Sequence, residues 1–249
     1  IDTTTTAMTN HRAFPGGLVY LDLFAGAGVC TLRGSGKRFP GSALIAASAA
    51  KPFNRLILCE KNPDLADACE KRLSRRGIID RCHVLPGDCN QLVDQIIRLL
   101  LRRSLTLMFV DPNGLDARFE TLARISQSTR ADIVALFADA YDISRNQEMH
   151  YRENPNSKLD QVLGRNSNWR HRLGELESPT GVNKRQLFAE IYREQLRRIL
   201  GYKHFRDKVM KSPQGIPLYR LLYASKSDLG LKFWEDALKE DSLGQRELF

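Results

Sequence analysis

The 249-residue sequence has no Cys-x-x-Cys pair, no apolar run near the length of a membrane span and no proline- or serine-rich stretch to divide it. Each absence excludes a class. The five cysteines, Cys30, Cys59, Cys69, Cys82 and Cys89, are odd in number, so they read as free thiols in a reducing cytosol. A disulfide framework or a zinc site would need paired spacing, and no metal is expected. A spanning helix would need about 20 apolar residues, and no signal peptide is read, so a cytoplasmic protein is expected. Internal repeats are missing too. Acidic residues are in short supply, 29 against 38 lysines and arginines, for a net charge of +9. Such a balance points to a polyanionic partner, most directly a nucleic acid. The excess is concentrated in residues 165–211, where Arg165, Arg170, Arg172, Lys184, Arg193, Arg197, Lys203, Lys208 and Lys211 face few acids. That segment is the expected electrostatic footprint.

What the chain does have is an alternation of apolar runs and helical periods. Leu18–Phe24, Arg55–Glu60, Cys82–Leu85, Leu105–Val110 and Ile133–Phe137 read as strands. Between them, helices are predicted over Ser42–Ala50, Asn62–Arg76, Asn90–Arg103 and Phe119–Ser128. Asn62 is placed to cap the second and Gly77 to end it. A further helix is predicted over Lys184–Leu200, followed by strands Phe205–Met210 and Leu218–Ala224 around a Ser212-Pro-Gln-Gly215 turn. Strands alternating with helices imply a parallel sheet with right-handed crossovers. The expected fold is therefore α/β: a Rossmann-like, mostly parallel sheet with helices on both faces and a C-terminal antiparallel hairpin, the edge arrangement of class I methyltransferases. Residues 1–17, with their run of threonines, are read as a flexible lead-in, and residues 18–249 as one domain. A polar insertion or lid is expected at about 139–183.

Ligands of such sheets bind at the carboxyl ends of the strands. Those ends here carry Asp22-Leu-Phe-Ala-Gly-Ala-Gly28, Glu60, Gly87-Asp88 and Asp111-Pro112. Glycines let backbone N–H groups approach a ligand because no Cβ intrudes. A dinucleotide fingerprint would add a third glycine and an immediate helix, but Val29-Cys30-Thr31 follows instead. Gly36-Lys37 lacks the upstream glycine of a phosphate-binding loop. S-Adenosylmethionine has no pyrophosphate and fits the pattern better. Glu60 would meet its ribose hydroxyls and Asp88 its adenine amine, with Asp22 and the Gly26 turn under the methionine part. Phe24, Ala25, Gly28, Lys61, Cys89 and Asp111 complete the expected cofactor set. Cys89 is read as a small packed residue rather than a nucleophile.

With Gly41-Ser-Ala-Leu-Ile-Ala46, Gly87-Asp-Cys-Asn90, Phe109-Val-Asp-Pro-Asn-Gly114 and Tyr219-Arg-Leu-Leu-Tyr-Ala-Ser-Lys226 added to the first glycine motif, the chain resembles the three-Cys-motif partner proteins from Val19 to about Leu238. Ala27 and Ala43 stand where that family is expected to have proline. The resemblance implies a class I S-adenosylmethionine-dependent methyltransferase fold and association with a cysteine-motif protein.

Asp111-Pro112-Asn113-Gly114 is similar to the Asp-Pro-Pro-Tyr-like signature of enzymes that methylate exocyclic amines. There the acid and the proline carbonyl align the amine, and positioning supplies much of the rate. Asp111, Pro112 and Asn113 are therefore the candidate catalytic residues. The aromatic that would stack a flipped base is replaced by Gly114, leaving Phe137, Tyr141 or Trp169 to supply it. His83, His150, His171 and His204 are read as structural. The expected activity is methyl transfer to a nucleic-acid base amine. The competing reading is a non-catalytic module of the same fold that docks a protein or RNA, and a dinucleotide oxidoreductase is more distant.

Overall fold

The computed structural model describes residues 1–32, 34–112, 114–137, 151–177, 180–212 and 214–238. Its centre is β1 (Leu18–Asp22), five residues all buried. The apolar run Leu-Val-Tyr-Leu can be covered on both faces only inside a parallel sheet. β4 (Arg55–Glu60) and β5 (Cys82–Pro86) extend the sheet on one side. β6 (Leu105–Val110) and β7 (Arg130–Phe137) extend it on the other. The hairpin β8 (His204–Lys211) and β9 (Pro217–Ser225) closes that edge, each strand a little longer than its sequence pattern suggested. The order is β5-β4-β1-β6-β7-β9-β8, parallel except that β9 runs against both β7 and β8. This is the class I methyltransferase sheet. The strand order reverses direction between β1 and β6, and that is where a crevice opens at the carboxyl ends.

Alternation along β1 divides the core. Val19, Leu21 and Leu23 face one cluster, and Leu18 and Tyr20 the other. Helices α4 (Val93–Leu99), α5 (Phe119–Ser128), α6 (Lys158–Leu163), α7 (Trp169–Gly174) and α8 (Gly181–Leu200) cover the first face. Helices α2 (Ser42–Ala47) and α3 (Pro63–Arg75) cover the second. Asn62 caps α3 by accepting from Asp64 N at 2.9 Å and Leu65 N at 3.3 Å.

The structure departs from the sequence pattern in several places. Residues expected as a lead-in contain a helix, α1 (Asp2–Met8), with Thr5 and Met8 buried against the second face. Helix α4 is seven residues, not the Asn90–Arg103 span. The Asn90 side chain is used elsewhere, Leu100 is extended, and Arg103 takes a φ of 55°. Helix α8 begins three residues before Lys184, because Thr180 accepts from Asn183 N and caps it. A small hairpin, β2 (Val29–Thr31) with β3 (Arg38–Pro40), fills the stretch between the glycine turn and α2. A last helix, α9 (Asp228–Leu238), crosses the second face beside α1. Of the insertion expected at about 139–183, residues 139–150, 178 and 179 lie outside the described residues. The rest holds α6 and α7, whose Leu159, Leu163 and Trp169 belong to the core.

Candidate functional site

The glycine turn after β1 is held from two directions. Gly26 and Gly28 have φ values of 59° and 76°, the left-handed region that favours glycine. Gly28 O accepts from Gly41 N at 2.8 Å, and a Cβ on Gly41 would meet Gly28 backbone at 3.0 Å. This close approach explains the glycine that opens Gly41-Ser-Ala-Leu-Ile-Ala46. Arg72 donates to Ala27 O at 2.7 Å. A Cβ on Gly26, in contrast, would meet nothing within 4 Å, so the turn's backbone opens on space.

That space is a polar cleft of about 510 Å³. Phe24, Gly26, Glu60, Lys61, Asp88, Cys89 and Asp111 line it, from the ends of four strands. Glu60 Oε2 accepts the Gly26 N–H at 2.9 Å and Oε1 the Asn62 N–H at 2.8 Å. Asp88 Oδ1 accepts from Asn90 N at 2.9 Å and Asn90 Nδ2 at 2.8 Å. Asn90 also donates to Asp116 O, and its own oxygen accepts from Arg118 N and Thr121 Oγ1. It thus staples the end of β5 to the segment between β6 and α5. Carboxylates with two oxygens and about four lone-pair positions keep capacity for hydroxyl or amine donors after these bonds. Cys89 is buried and its thiol is pushed up to about 12, by burial first and then the Asp88 charge. It stays protonated at neutral pH, as expected of a packed residue.

Asp22 does not line the cleft. It is fully buried beneath the turn, where Phe24 N donates to it at 3.1 Å and Tyr20 Oη at 3.3 Å. Burial pushes its carboxyl up to about 6, although bonds from Ser42, Phe24 and Tyr20 oppose the rise. It organises the turn from beneath.

A second cavity, about 470 Å³, lies beside the cleft on the other side of the turn. Ala25 and Gly28 line it, and Phe24, Gly26 and Asp111 line both spaces. Asp111 therefore stands at the wall between them. Desolvation raises its carboxyl above the ordinary range. Pro112 lines neither space, only a small void against Val162 and Tyr192, and Asn113 lies outside the described residues. The aromatic substitutes expected from the sequence are not at the site. Phe137 is buried and stacked on Tyr192 at 4.8 Å. Trp169 is in the core with its Nε1 donating to Asp160 at 2.9 Å. Tyr141 lies outside the described residues. Rings missed by sequence reasoning take their place: Tyr20, Phe109, Tyr223, Phe233 and Trp234. No local signal marks them, because they come from five separate positions on β1, β6, β9 and α9.

His83, His171 and His204 line neither space, and His150 is not among the described residues. Within 165–211, many cations are engaged inside the protein. Arg170 grips Asp160 and the carbonyls of Tyr151, Arg152 and Asn154. Burial alone would raise the Asp160 carboxyl, but bonds from Arg170, Ser157 and Trp169 hold it below its usual value. Arg172 pairs with Glu194, Arg193 with Asp207 and Arg206 with Glu235. No group of His, Cys, Asp and Glu side chains among the described residues could hold a metal. No helix among them is long and apolar enough to cross a membrane.

No family model and no curated protein matches the sequence. Solved structures do resemble the fold. Protein LPL1258 from Legionella pneumophila aligns over 95% of this chain and 88% of its own, with a TM-score of 0.53 at 14% identity. The O-methyltransferase from Bacillus cereus in complex with SAH aligns over 90% and 82%, with a TM-score of 0.48 at 11% identity. A putative rRNA-methylase from Clostridium thermocellum aligns over 84% and 87%, with a TM-score of 0.40 at 14% identity. The likeness to the Legionella protein is one of fold.

Proposed function

We propose that this protein is an S-adenosylmethionine-dependent methyltransferase, with the cofactor in the polar cleft and the acceptor in the adjoining cavity. The observation that carries the reading is the meeting of the two spaces at Asp111, at the switch point of a class I sheet. The donor set fits the cofactor. Glu60 and Asp88 offer carboxylate oxygens to ribose hydroxyls and the adenine amine, Leu23 and Leu65 offer apolar contact, and Gly26 leaves room where a side chain would intrude. When bound, S-adenosylmethionine supplies an electrophilic methyl group on a sulfonium. Asp111 is placed to accept the acceptor's N–H or O–H, which orients its lone pair and takes the departing proton. Phe24 lines both spaces and offers its ring to the junction. Calorimetric titration with S-adenosylmethionine tests the assignment: one saturable site is expected, and absence of binding ends it.

Two acceptors compete: the +9 charge supports a base amine of a nucleic acid held by residues 165–211, and the aromatic lining of the second cavity supports a small uncharged molecule. The exposed lysines of β8 would supply phosphate contacts. A docking module for RNA or a cysteine-motif protein is the second reading, favoured by Gly114 where a stacking aromatic would follow the acid. Its φ of 82° accounts for the glycine as a turn requirement.

A further inference from the structure

From the second cavity we infer that the methyl acceptor is a free, uncharged, flat aromatic molecule bearing an O–H or N–H group, rather than a base within a nucleic acid. This deepens the methyltransferase reading and rests on it for the word acceptor. Six aromatic rings line the cavity, beside the glycine turn and the hydroxyl residues Thr3, Thr4 and Ser42. Tyr223 and Trp234 stack face to face, with centroids 5.0 Å apart and planes within 7°, so each ring fixes the orientation of the other. Tyr20, Phe24, Phe109 and Phe233 add further ring surface, and Val134 and Ile45 aliphatic surface. Aromatic walls of this kind favour offset stacking and edge contacts with another ring. At about 470 Å³ the space suits a molecule of one to three rings.

Charge narrows the class. Asp111 is the sole charged side chain among the described residues lining the cavity, and no lysine, arginine or histidine lines it. Phosphate contacts dominate nucleic-acid binding and come largely from cations and backbone donors. A nucleotide entering here would find no basic side chain at the wall. An anionic acceptor would meet the Asp111 carboxylate across an apolar, weakly screening space. A neutral hydroxyl or amine instead finds in Asp111 the one carboxylate among the described residues of the wall.

The wall is also held in place. Tyr223 Oη donates to the buried Asp132 at 2.9 Å, and Ser225 Oγ to the same carboxylate at 2.7 Å. Gly230 of α9 packs onto this trio so closely that a Cβ would lie 2.5 Å from Tyr223 Oη. The stacked pair is thus anchored to β7 through Asp132 and to α9 through Gly230, a preformed surface rather than one assembled by the ligand.

The test is calorimetric titration with three probes: 2-naphthol, 2-naphthoate and adenosine 5′-monophosphate, each with and without saturating S-adenosylhomocysteine. We expect 2-naphthol to bind at least tenfold more tightly than either anion. Trp234→Ala should weaken it at least tenfold while leaving S-adenosylhomocysteine affinity within twofold. Ile45→Arg, at an exposed rim position, provides a variant that keeps the fold; it should weaken 2-naphthol and strengthen 2-naphthoate. Failure of 2-naphthol to bind, or binding indifferent to both variants, overturns the inference. So does tighter, Trp234-dependent binding of the nucleotide. If S-adenosylhomocysteine does not bind, the methyltransferase reading fails, whereas the cavity's preference is still decided by the three probes.

Discussion

Glu60, at the end of β4, accepts the Gly26 N–H through one carboxylate oxygen at 2.9 Å and the Asn62 N–H through the other at 2.8 Å. One side chain therefore shapes the turn after β1 and the entry to α3 while lining the cleft. Glu60→Ala removes all three functions. S-Adenosylmethionine affinity should drop by about 1–3 kcal/mol, the loss of charge-assisted hydrogen bonds. Glu60→Gln presents an amide donor to one of the two N–H groups and should also weaken binding. Calorimetry on both variants checks this, and unchanged affinity in either removes Glu60 from the cofactor site.

Asp22 gives the chain a pH signature. Its carboxyl is pushed from 3.8 to about 6, chiefly by burial. An acid with a raised folded pKa holds its proton more tightly folded than unfolded. Its favourable contribution is complete below about pH 4 and is lost as pH rises through about 6. Asp22→Asn does not titrate, so the stability of the wild type minus that of the variant should fall by about 2–3 kcal/mol between pH 4 and 7. Urea denaturation at stepped pH measures it. A difference that stays flat would place the Asp22 pKa near that of an ordinary carboxylate.

These two residues mark how much was legible. The strands were readable because buried parallel strands need continuous apolar runs, and Leu18–Asp22 is one. Glu60 and Asp88 were readable because strand ends in such a sheet share one edge. Asp22 could be picked out as an acid inside a strand and before a glycine turn, and so as one in need of a partner, but its partners Tyr20 and Ser42 could not be named, since Ser42 reaches it only across the fold. The aromatic wall was illegible: Tyr223 and Trp234 become neighbours only when α9 crosses the face that β9 leaves open. Charge patterning counted the cations of this segment but could not show their pairing, because Arg170, Arg172, Arg193 and Arg206 meet acids 10 or more residues away in sequence.

Gly230→Ala should destabilise the protein although it adds one methyl group. The new Cβ would lie 2.5 Å from Ser225 Oγ and Tyr223 Oη and 2.8 Å from Asp132 Oδ2. Overpacking of this kind typically costs about 1–3 kcal/mol. Thermal denaturation should show a lowered Tm. A variant as stable as the wild type would mean that α9 shifts away from β9 without cost.

Lys203, Lys208 and Lys211 lie exposed at or beside the edge strand β8. If this edge holds a nucleic acid, affinity for a single-stranded RNA should fall steeply with added salt, as counterion release requires. The triple change to glutamate should weaken binding and flatten that slope. Filter binding from 50 to 200 mM salt reads both. A parent protein that binds no RNA at the lower salt removes the nucleic-acid partner.

Asp111 sits at the wall shared by the two spaces, and this position separates a role in transfer from a role in folding. Among the described residues its side chain makes no hydrogen bond that holds a strand or caps a helix, unlike those of Glu60 and Asn90. Asp111→Ala should therefore abolish methyl transfer while leaving S-adenosylmethionine affinity and Tm nearly intact, the pattern of a group that acts mainly in the transition state. Desolvation raises its pKa, and only the ionised form accepts a proton. In the wild type, activity should consequently be lost as pH falls through a value above the ordinary carboxylate range. Asp111→Asn keeps the shape and one acceptor oxygen but cannot take a proton. It should retain acceptor binding and lose the rate, together with that acid limb. One preparation of each variant suffices, measured for Tm, cofactor affinity and transfer of a radiolabelled methyl group to 2-naphthol. Joint loss of all three in Asp111→Ala would make it a structural turn residue, and full activity in Asp111→Asn would show that the proton leaves by another route.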